Sequence, residues 1–361
     1  MLLLIGTYTE GSQAIPNEAG ECAQGIYTCV VEGDRVQIAA IESAINPSFL
    51  AQHPTLRVIY AVVERAGNLG GAVACYRLNV DGSMALISTT PSLGDDPCHL
   101  MVAPGARYLV VTNYSSGDFT SIALNGEGHF DGMISYVQHW GHSVDPVRQM
   151  RPHAHSSGLS PDGKFLYVAD LGTDQIARYP ITNSGKVDAN RRRSMRVSTG
   201  AGPRHFCFDS NNEDMYLINE LNSTITRLTS DQHAVLIERQ SCSTIPIDYE
   251  DANYTAHICF SRDRRYLYGS NRGHDSIVVL PVSGTSLSPV QFARSGGRHP
   301  RHFDCTEDSI IAAHRDTGNV CGLRRDPATG LIGEVQFELE IPGAAFVLPV
   351  RAVHRSHSVL S

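Results

Sequence analysis

The chain has 361 residues, of which 42% are hydrophobic and 18% charged, and its formal net charge is −8. This length allows two average domains or one large all-β domain, and the negative charge argues against a nucleic acid as partner. No apolar run is long enough to cross a bilayer, and the short run that begins at Leu2 lacks the basic flank of a secretory signal. We therefore expect a cytoplasmic protein that binds neither nucleic acid nor membranes.

Motifs for metals and nucleotides are absent from the sequence. The nine cysteines are dispersed and form no Cys-x-x-Cys pair, which is typical of buried thiols in a reducing compartment rather than of a zinc site or a disulfide framework. There is no P-loop, dinucleotide fingerprint or calcium loop, and His153 with His155 alone is a weak zinc signal. We expect no metal and no other cofactor.

The predicted elements begin with an incomplete unit in the first 43 residues. Residues 2–7, 25–31 and 35–41 are short runs with the composition of β-strands. They are typical of the second, third and fourth strands of a four-stranded unit. The innermost strand of this unit is missing from the region.

From residue 47 onward, a short phrase recurs about every fifty residues, and two apolar runs separated by a turn follow it. The phrases are Pro47-Ser48-Phe49, Pro97-Cys98-His99, Pro152-His153-Ala154-His155, Pro203-Arg204-His205, Ala256-His257 and Pro300-Arg301-His302. Each of the six units resolves into four short strands rich in Val, Ile, Thr and Tyr. A repeat of this length predicts a propeller or a solenoid.

The end of the chain supplies a candidate for the missing strand, because residues 344–350 are apolar. If this segment pairs beside residues 2–7, strands from both termini complete a seventh blade and close the ring. An open stack would leave both terminal strands unpaired. We therefore predict an all-β, seven-bladed β-propeller of four-stranded antiparallel blades, with one domain over residues 1–350 and a polar tail over residues 351–361.

Strand direction places the polar residues of every unit on one face, because the links between units and the connections from second to third strand both return to it. The links contribute His99, His153, His155, Arg204, His205, His257, Arg301 and His302. The connections contribute Glu64, Asp170, Glu220, Arg272 and Arg315, and the long connector over residues 138–151 adds His139, His142, Arg148 and Gln149. This density of Arg, His and carboxylate at a concave mouth is typical of a small-anion site.

Several of these residues also fit purely structural roles. A repeated histidine fits a blade-linking residue, Asp170 fits a cap of its own turn, and Arg204 fits a structural pair with Glu220 of the same unit. Arg204 and Arg301 nevertheless need a partner, because an unpaired buried guanidinium is costly. A carboxylate, water or a ligand anion would each serve.

Longer motifs stand in the order found in a known family. They are Gly6-Thr7-Tyr8-Thr9, Arg148-Gln149, Pro152-His153-Ala154-His155, Asp170-Leu171-Gly172-Thr173-Asp174, Gly200-Ala201-Gly202-Pro203-Arg204-His205, Asn219-Glu220-Leu221-Asn222-Ser223-Thr224, Asn271-Arg272-Gly273-His274-Asp275 and Pro300-Arg301-His302-Phe303. Over nearly the whole chain, the sequence resembles the seven-bladed propeller lactonases, which include propeller-type 6-phosphogluconolactonases and fungal carboxy-cis,cis-muconate cyclases.

The resemblance implies a catalytic set of one His, two Arg and one Glu. These match His155, Arg204, Glu220 and Arg272. The residues expected to bind substrate are Arg148, His153, His205, His257, Arg301 and His302. The implied reaction is hydrolysis of a small anionic sugar δ-lactone, 6-phosphogluconolactone to 6-phosphogluconate in the pentose phosphate pathway, with Glu220 or His155 taking a proton from water. Because the third to sixth units carry these residues, we expect an off-centre site.

Three alternatives remain open at this stage. The first is a carboxymuconate cyclase-type lactonising reaction on the same scaffold. The second is a non-catalytic propeller that binds a ligand or a protein, since fold does not fix function. The third is a metal-dependent lactonase that uses the histidines. The sequence gives no oligomeric state.

Overall fold

The computed structural model describes residues 1–209, 214–230, 235–282 and 286–351. Its strands form seven four-stranded antiparallel sheets. The innermost strand of each sheet contacts the innermost strand of the next, and the contact between the last and first of them closes the ring. The prediction of a seven-bladed β-propeller is confirmed.

The strands repeat in four positions from the axis outward. The innermost strands are Leu50–Gln52, Pro97–Val102, Ala154–Leu159, Pro203–Phe208, Tyr254–Phe260, Pro300–Cys305 and Ala344–Pro349. The second strands are Val58–Val63, Tyr108–Asn113, Phe165–Asp170, Asp214–Asn219, Tyr266–Arg272, Ser309–His314 and Leu2–Thr7. The third strands are Ala72–Leu78, Asp118–Leu124, Gln175–Pro180, Thr224–Ser230, Ser276–Pro281, Asn319–Arg325 and Gly25–Glu32.

The outermost strands are Met84–Pro91, Phe130–Gln138, Arg193–Arg196, Leu236–Ser243, Gln291–Arg294, Ile332–Glu340 and Arg35–Ser43. Helical structure is confined, among the residues described, to three short 3-10 turns at Gly67–Leu69, Leu171–Thr173 and Ala189–Arg191. The tail predicted over residues 351–361 lies outside the described residues from position 352 onward.

The seventh blade is built from both ends of the chain, as predicted. Leu3 pairs with Pro349 and Ile5 with Val347 in an antiparallel register. Pairing in this way gives both terminal strands a partner and hides two edges that would otherwise be open to association.

Burial follows strand position. Every residue of the second strand Tyr108–Asn113 is buried, whereas the outermost strand Arg35–Ser43 has no buried residue. Apolar side chains of the middle strands pack between neighbouring blades, as where Tyr60 and Val62 meet Leu109 and Val111 of the next blade. Each such side chain contributes about 1.5–3 kcal/mol on burial, so the blade-to-blade packing stabilises the ring.

A break in strand register near the upper end of the innermost strand recurs around the ring. Pro203 pairs with Asn219 and His205 with Ile218, which leaves Arg204 without a partner in the ladder. Equivalent breaks leave Cys98, His155, Arg301 and Ala345 unpaired. Because a bulge of this kind re-aims its side chain, these residues turn towards the mouth of the ring.

Candidate active site

A cavity of about 480 Å³ occupies the mouth of the ring. Its walls contain four arginines and three carboxylates within a mainly polar lining. The lining residues are Ser12, Gln13, Glu64, Asp96, Cys98, Tyr114, Ser115, Arg148, His155, Glu220, Tyr254, Arg272, His299, Arg301 and Arg315. The cavity draws on blades all around the ring. Polar residues of the first units, Glu64 among them, also reach the mouth, and the off-centre position of the site stays a prediction.

Glu220 is the hub of the charged groups. It follows the second strand Asp214–Asn219 directly, and its backbone is fixed by hydrogen bonds to Gly202 and Thr255. Its Oε2 accepts from Arg204 Nε at 2.9 Å and lies 2.8 Å from Arg272 Nη2. Its Oε1 accepts from Arg148 Nη2 at 2.6 Å. One carboxylate thus serves three guanidinium groups, and the proposed structural pair between Arg204 and Glu220 is present.

This arrangement fixes the protonation of Glu220. Burial alone would raise the pKa of the carboxyl, but Arg272, Arg204 and Arg148 hold that pKa well below its usual range. Burial, followed by repulsion from Arg272, lowers the pKa of Arg204 to about 9 even with Glu220 beside it. Glu220 is therefore a permanent anion of low basicity, and it holds together cations that would repel one another without it.

The two arginines of the resemblance occupy different depths. Arg272 lines the cavity and donates to the backbone oxygens of Tyr254 at 3.3 Å and Thr255 at 2.7 Å. Arg204 is only 2% exposed and lies behind Glu220, where it also donates to the backbone oxygen of Ala256. Arg272 can therefore contact a ligand directly, whereas Arg204 acts on a ligand through Glu220 and through its charge.

His155 lies between these cations and Cys98. Its Nε2 is 4.0 Å from Glu220 Oε2, and its Nδ1 is 3.8 Å from the Cys98 sulfur. Burial first, then Arg204, holds the pKa of His155 well below its ordinary value. The imidazole is therefore neutral at physiological pH and offers one donor and one acceptor to a ligand.

Arg301 has a different environment from the other arginines of the mouth. Its guanidinium lies 5.1 Å from the centre of the Tyr8 ring. Among the described residues it makes no hydrogen bond and no ion pair within 4.0 Å, although it lines the cavity. Arg301 thus differs from Arg148 and Arg272, which both contact Glu220 directly.

The connector over residues 138–151 reaches the mouth through Arg148. It is fastened below by His139, which lies 2.6 Å from Asp170 Oδ2 and 2.9 Å from the Tyr179 hydroxyl. Asp170 also accepts from the backbone of Thr173, so the expectation that it caps its own turn is confirmed. These buried contacts set the position from which Arg148 meets Glu220.

Four histidines that the sequence predicts as substrate-binding do not line the cavity. His153 stacks on Tyr114 with ring centres 4.4 Å apart, and its Nδ1 binds the backbone oxygen of that residue at 2.9 Å. His205, His257 and His302 follow the bulge position and point below it. They stand on three consecutive innermost strands and form one layer around the axis, with 5.3 Å between the ring centres of His205 and His257 and 3.9 Å between those of His257 and His302.

These buried histidines make the stability of the folded protein depend on pH. His302 is 6% exposed, and burial holds its pKa well below the ordinary value, whereas the unfolded chain protonates this group near pH 6.5. The unfolded state therefore binds more protons below pH 6.5, so the folded state loses stability as the pH is lowered. The free energy of unfolding of the wild type should fall between pH 7 and pH 5, and in His302→Phe this fall should be smaller by about 2 kcal/mol. Urea titrations at the two pH values measure the difference. An unchanged pH slope would contradict this.

Sequence reasoning missed several lining residues, and for some of them the signal was present. Tyr114 follows its second strand at the position that Glu220 and Arg272 hold in their blades, and its hydroxyl accepts from Arg148 at 3.0 Å. Cys98 occupies the bulge position of Arg204. Tyr254 begins an innermost strand and His299 directly precedes one, and neither gave such a signal, because the residues at these two places follow no common pattern in the repeat.

Residues 2–349 match the family described as lactonase, 7-bladed beta-propeller. The chain belongs to this lactonase family. It is 31% identical to an uncharacterised protein of Lactococcus lactis subsp. cremoris, over 96% of this chain and 99% of the relative. It is 28% identical to the 6-phosphogluconolactonase of Bacillus subtilis, over 94% of this chain and 95% of the relative.

A solved structure extends the likeness to three dimensions. The periplasmic gluconolactonase of Pseudomonas aeruginosa superposes with a TM-score of 0.88 at 26% identity, covering 96% of this chain and 99% of that one. Family and relatives together support a lactone hydrolase. Among the described residues, no helix is long and apolar enough to cross a membrane, and no group of three or more metal-ligating side chains is found.

Proposed function

We propose that this protein hydrolyses a sugar δ-lactone at the mouth of the propeller, and that the substrate is 6-phosphogluconolactone. The observation that carries the proposal is the group of arginines at one cavity: three of them contact Glu220, and Arg301 has no ion pair within 4.0 Å in the part of the chain that the structure describes. A volume of about 480 Å³ suits a six-carbon lactone with one phosphate. The 6-phosphogluconolactonase of Bacillus subtilis, at 28% identity, points the same way.

The arginines of the cavity divide into two groups, one assigned to the lactone carbonyl and one to the phosphate. The side chain of Arg272 is 8% exposed, whereas those of Arg148 and Arg315 are 33% and 18% exposed. We assign the buried Arg272, together with Arg301 at the bulge of its innermost strand, to the carbonyl, where a negative charge develops on oxygen as water adds. The outer groups Arg148 and Arg315, with His299, would hold the phosphate by charge-assisted hydrogen bonds.

The neutral imidazole of His155 faces the same deep region. It is suited to hydrogen-bond the ring oxygen that becomes the leaving alkoxide. The sequence left the proton acceptor between Glu220 and His155. The depressed pKa values of both groups make each a weak base, so neither is favoured as the group that activates water.

The name of the Pseudomonas aeruginosa protein supports a second candidate substrate, the unphosphorylated gluconolactone. The two candidates differ by one phosphate, so they differ in their need for the outer cations. A protein adapted to gluconolactone would gain nothing from a charged rim.

Comparison of the two lactones tests the proposal. We expect kcat/KM to be about 10–100-fold higher for 6-phosphogluconolactone than for glucono-δ-lactone, since a hydrogen bond to a charged group contributes about 1.5–3 kcal/mol. Arg315→Gln should remove much of this preference while it leaves gluconolactone turnover within a few-fold. Rates corrected for spontaneous hydrolysis at pH 6.5 would give the ratio. Equal rates for both substrates would reassign the protein to the unphosphorylated lactone.

A further inference from the structure

A second glutamate, Glu64, is partly buried and lines the same cavity as Glu220. Glu64 follows the second strand Val58–Val63 and stands three blades from Glu220, across the mouth. The two residues hold the same position in their blades, directly after the second strand. The catalytic set taken from the family resemblance does not include Glu64.

The partners of Glu64 are hydroxyl groups. The Tyr8 hydroxyl lies 3.1 Å from each of its carboxyl oxygens, and the hydroxyl of Ser48 donates to Oε2. Among the described residues, no Arg, Lys or His nitrogen lies within 4.0 Å of this carboxyl. The charged and titratable groups around it are Tyr8, Arg301, Asp96 and Cys98.

The two glutamates therefore differ in basicity. Three guanidinium groups contact the carboxylate of Glu220. The carboxyl of Glu64 accepts hydrogen bonds from neutral hydroxyl groups instead, in a site of lower positive charge. Burial raises the pKa of Glu64, and Arg301 and the two hydroxyls offset only part of that rise. Two carboxyl groups in one site whose environments push their pKa values apart are a common arrangement for separate chemical roles.

We propose that Glu64 is the general base that activates the attacking water in this cavity. The proposal rests on lactone hydrolysis as the proposed function. Glu64 takes one proton from water while the water oxygen forms a bond to the carbonyl carbon. The electron pair of the carbonyl π bond moves to oxygen beside Arg301 and Arg272. The electron pair on the oxyanion then re-forms the carbonyl π bond as the ring C–O bond breaks, the electron pair of that bond goes to the ring oxygen, and Glu64 returns the proton to the ring oxygen. The products are the hydroxy acid and the regenerated carboxylate.

Glu10 provides a matched control for Glu64. It lies near the same edge, pairs with Arg65 at 3.0 Å, and its side chain is 48% exposed outside the cavity lining. Glu64→Gln and Glu10→Gln therefore make the same chemical change in the same part of the fold. Only the first removes a carboxyl group from the cavity.

The test is kcat at saturating lactone between pH 5 and 7.5 for the full chain. Glu64→Gln should lower kcat by about 10²–10³-fold, with KM within a few-fold, and should remove the acidic limb of the profile. Glu10→Gln should retain the kcat and the limb of the wild type. Ser48→Ala removes a hydrogen bond that stabilises the carboxylate, so the limb should move to higher pH by about 0.5–1 unit.

The outcomes separate the two proposals. A wild-type chain that hydrolyses neither lactone overturns both the proposed function and the role of Glu64. An active wild type whose Glu64→Gln variant matches Glu10→Gln overturns the role of Glu64 alone. If Glu64→Gln fails to fold, Ser48→Ala decides the matter, and an acidic limb that stays in place contradicts the proposal.

Discussion

Glu220→Gln is expected to lower the free energy of unfolding by about 3–5 kcal/mol, a large effect for an isosteric substitution. Three guanidinium groups lie within 2.6–2.9 Å of this carboxylate, and two of them, on Arg204 and Arg272, are almost fully buried. Without the negative charge, these cations repel one another where burial leaves them little solvent to screen the repulsion. The penalty arises from the charges left behind more than from the hydrogen bonds lost.

Equilibrium unfolding of the variant at pH 7 measures this effect. The double variant Glu220→Gln/Arg204→Met provides the control, because it also removes the deepest of the three stranded cations. It should recover part of the lost stability. If the single variant is as stable as the wild type, Glu220 is not the counterion on which the cluster depends.

The second large effect is expected from Arg272→Ala, which should lower kcat for the lactone by about 10²–10³-fold. Arg272 is fixed by Glu220 and by the backbone oxygens of Tyr254 and Thr255, so its guanidinium is in place before the substrate arrives. A preorganised cation at the carbonyl stabilises the oxyanion with little reorganisation. Arg272→Lys keeps the charge but not these several contacts, and should recover only part of the rate.

Arg294→Ala is the control for this comparison, because Arg294 is an exposed arginine on the outermost strand of the same blade. Steady-state kinetics should show wild-type kcat for this variant. A rise in KM alone for Arg272→Ala would contradict the assignment of Arg272 to the carbonyl and would place it with the groups that hold the phosphate.

The ring could be predicted from the sequence because its determinants are local and repeated. An apolar run, a turn and a second apolar run mark each blade in the sequence. Residues 344–350 supplied the one strand that the first unit lacked. In the unit from 203 to 244, the sequence predicts strands over 205–209, 214–219, 223–229 and 235–240, each within three residues of an observed strand. Strand direction also predicts which strand ends meet at the mouth, but not which of their residues line the cavity.

The sequence could not predict in the same way which of these residues line the cavity and which lie in the channel beneath it. The proline anchors of the repeat put His153 level with Arg204, but the ladder places Ala154 opposite Asp170, as Pro203 is opposite Asn219. His155 is therefore equivalent to Arg204, and both stand at the bulge. A bulge adds one residue without a distinctive sequence. Residues can therefore be assigned to the cavity or to the channel only when the strand pairing is known.

Hydrolysis of 6-phosphogluconolactone by the purified full chain tests the central claim most directly. We expect the wild type to hydrolyse the lactone far faster than the spontaneous rate at pH 6.5. The rate with the Arg272→Ala variant should be close to the spontaneous rate. A wild type that leaves both this lactone and glucono-δ-lactone at their spontaneous rates would contradict the account.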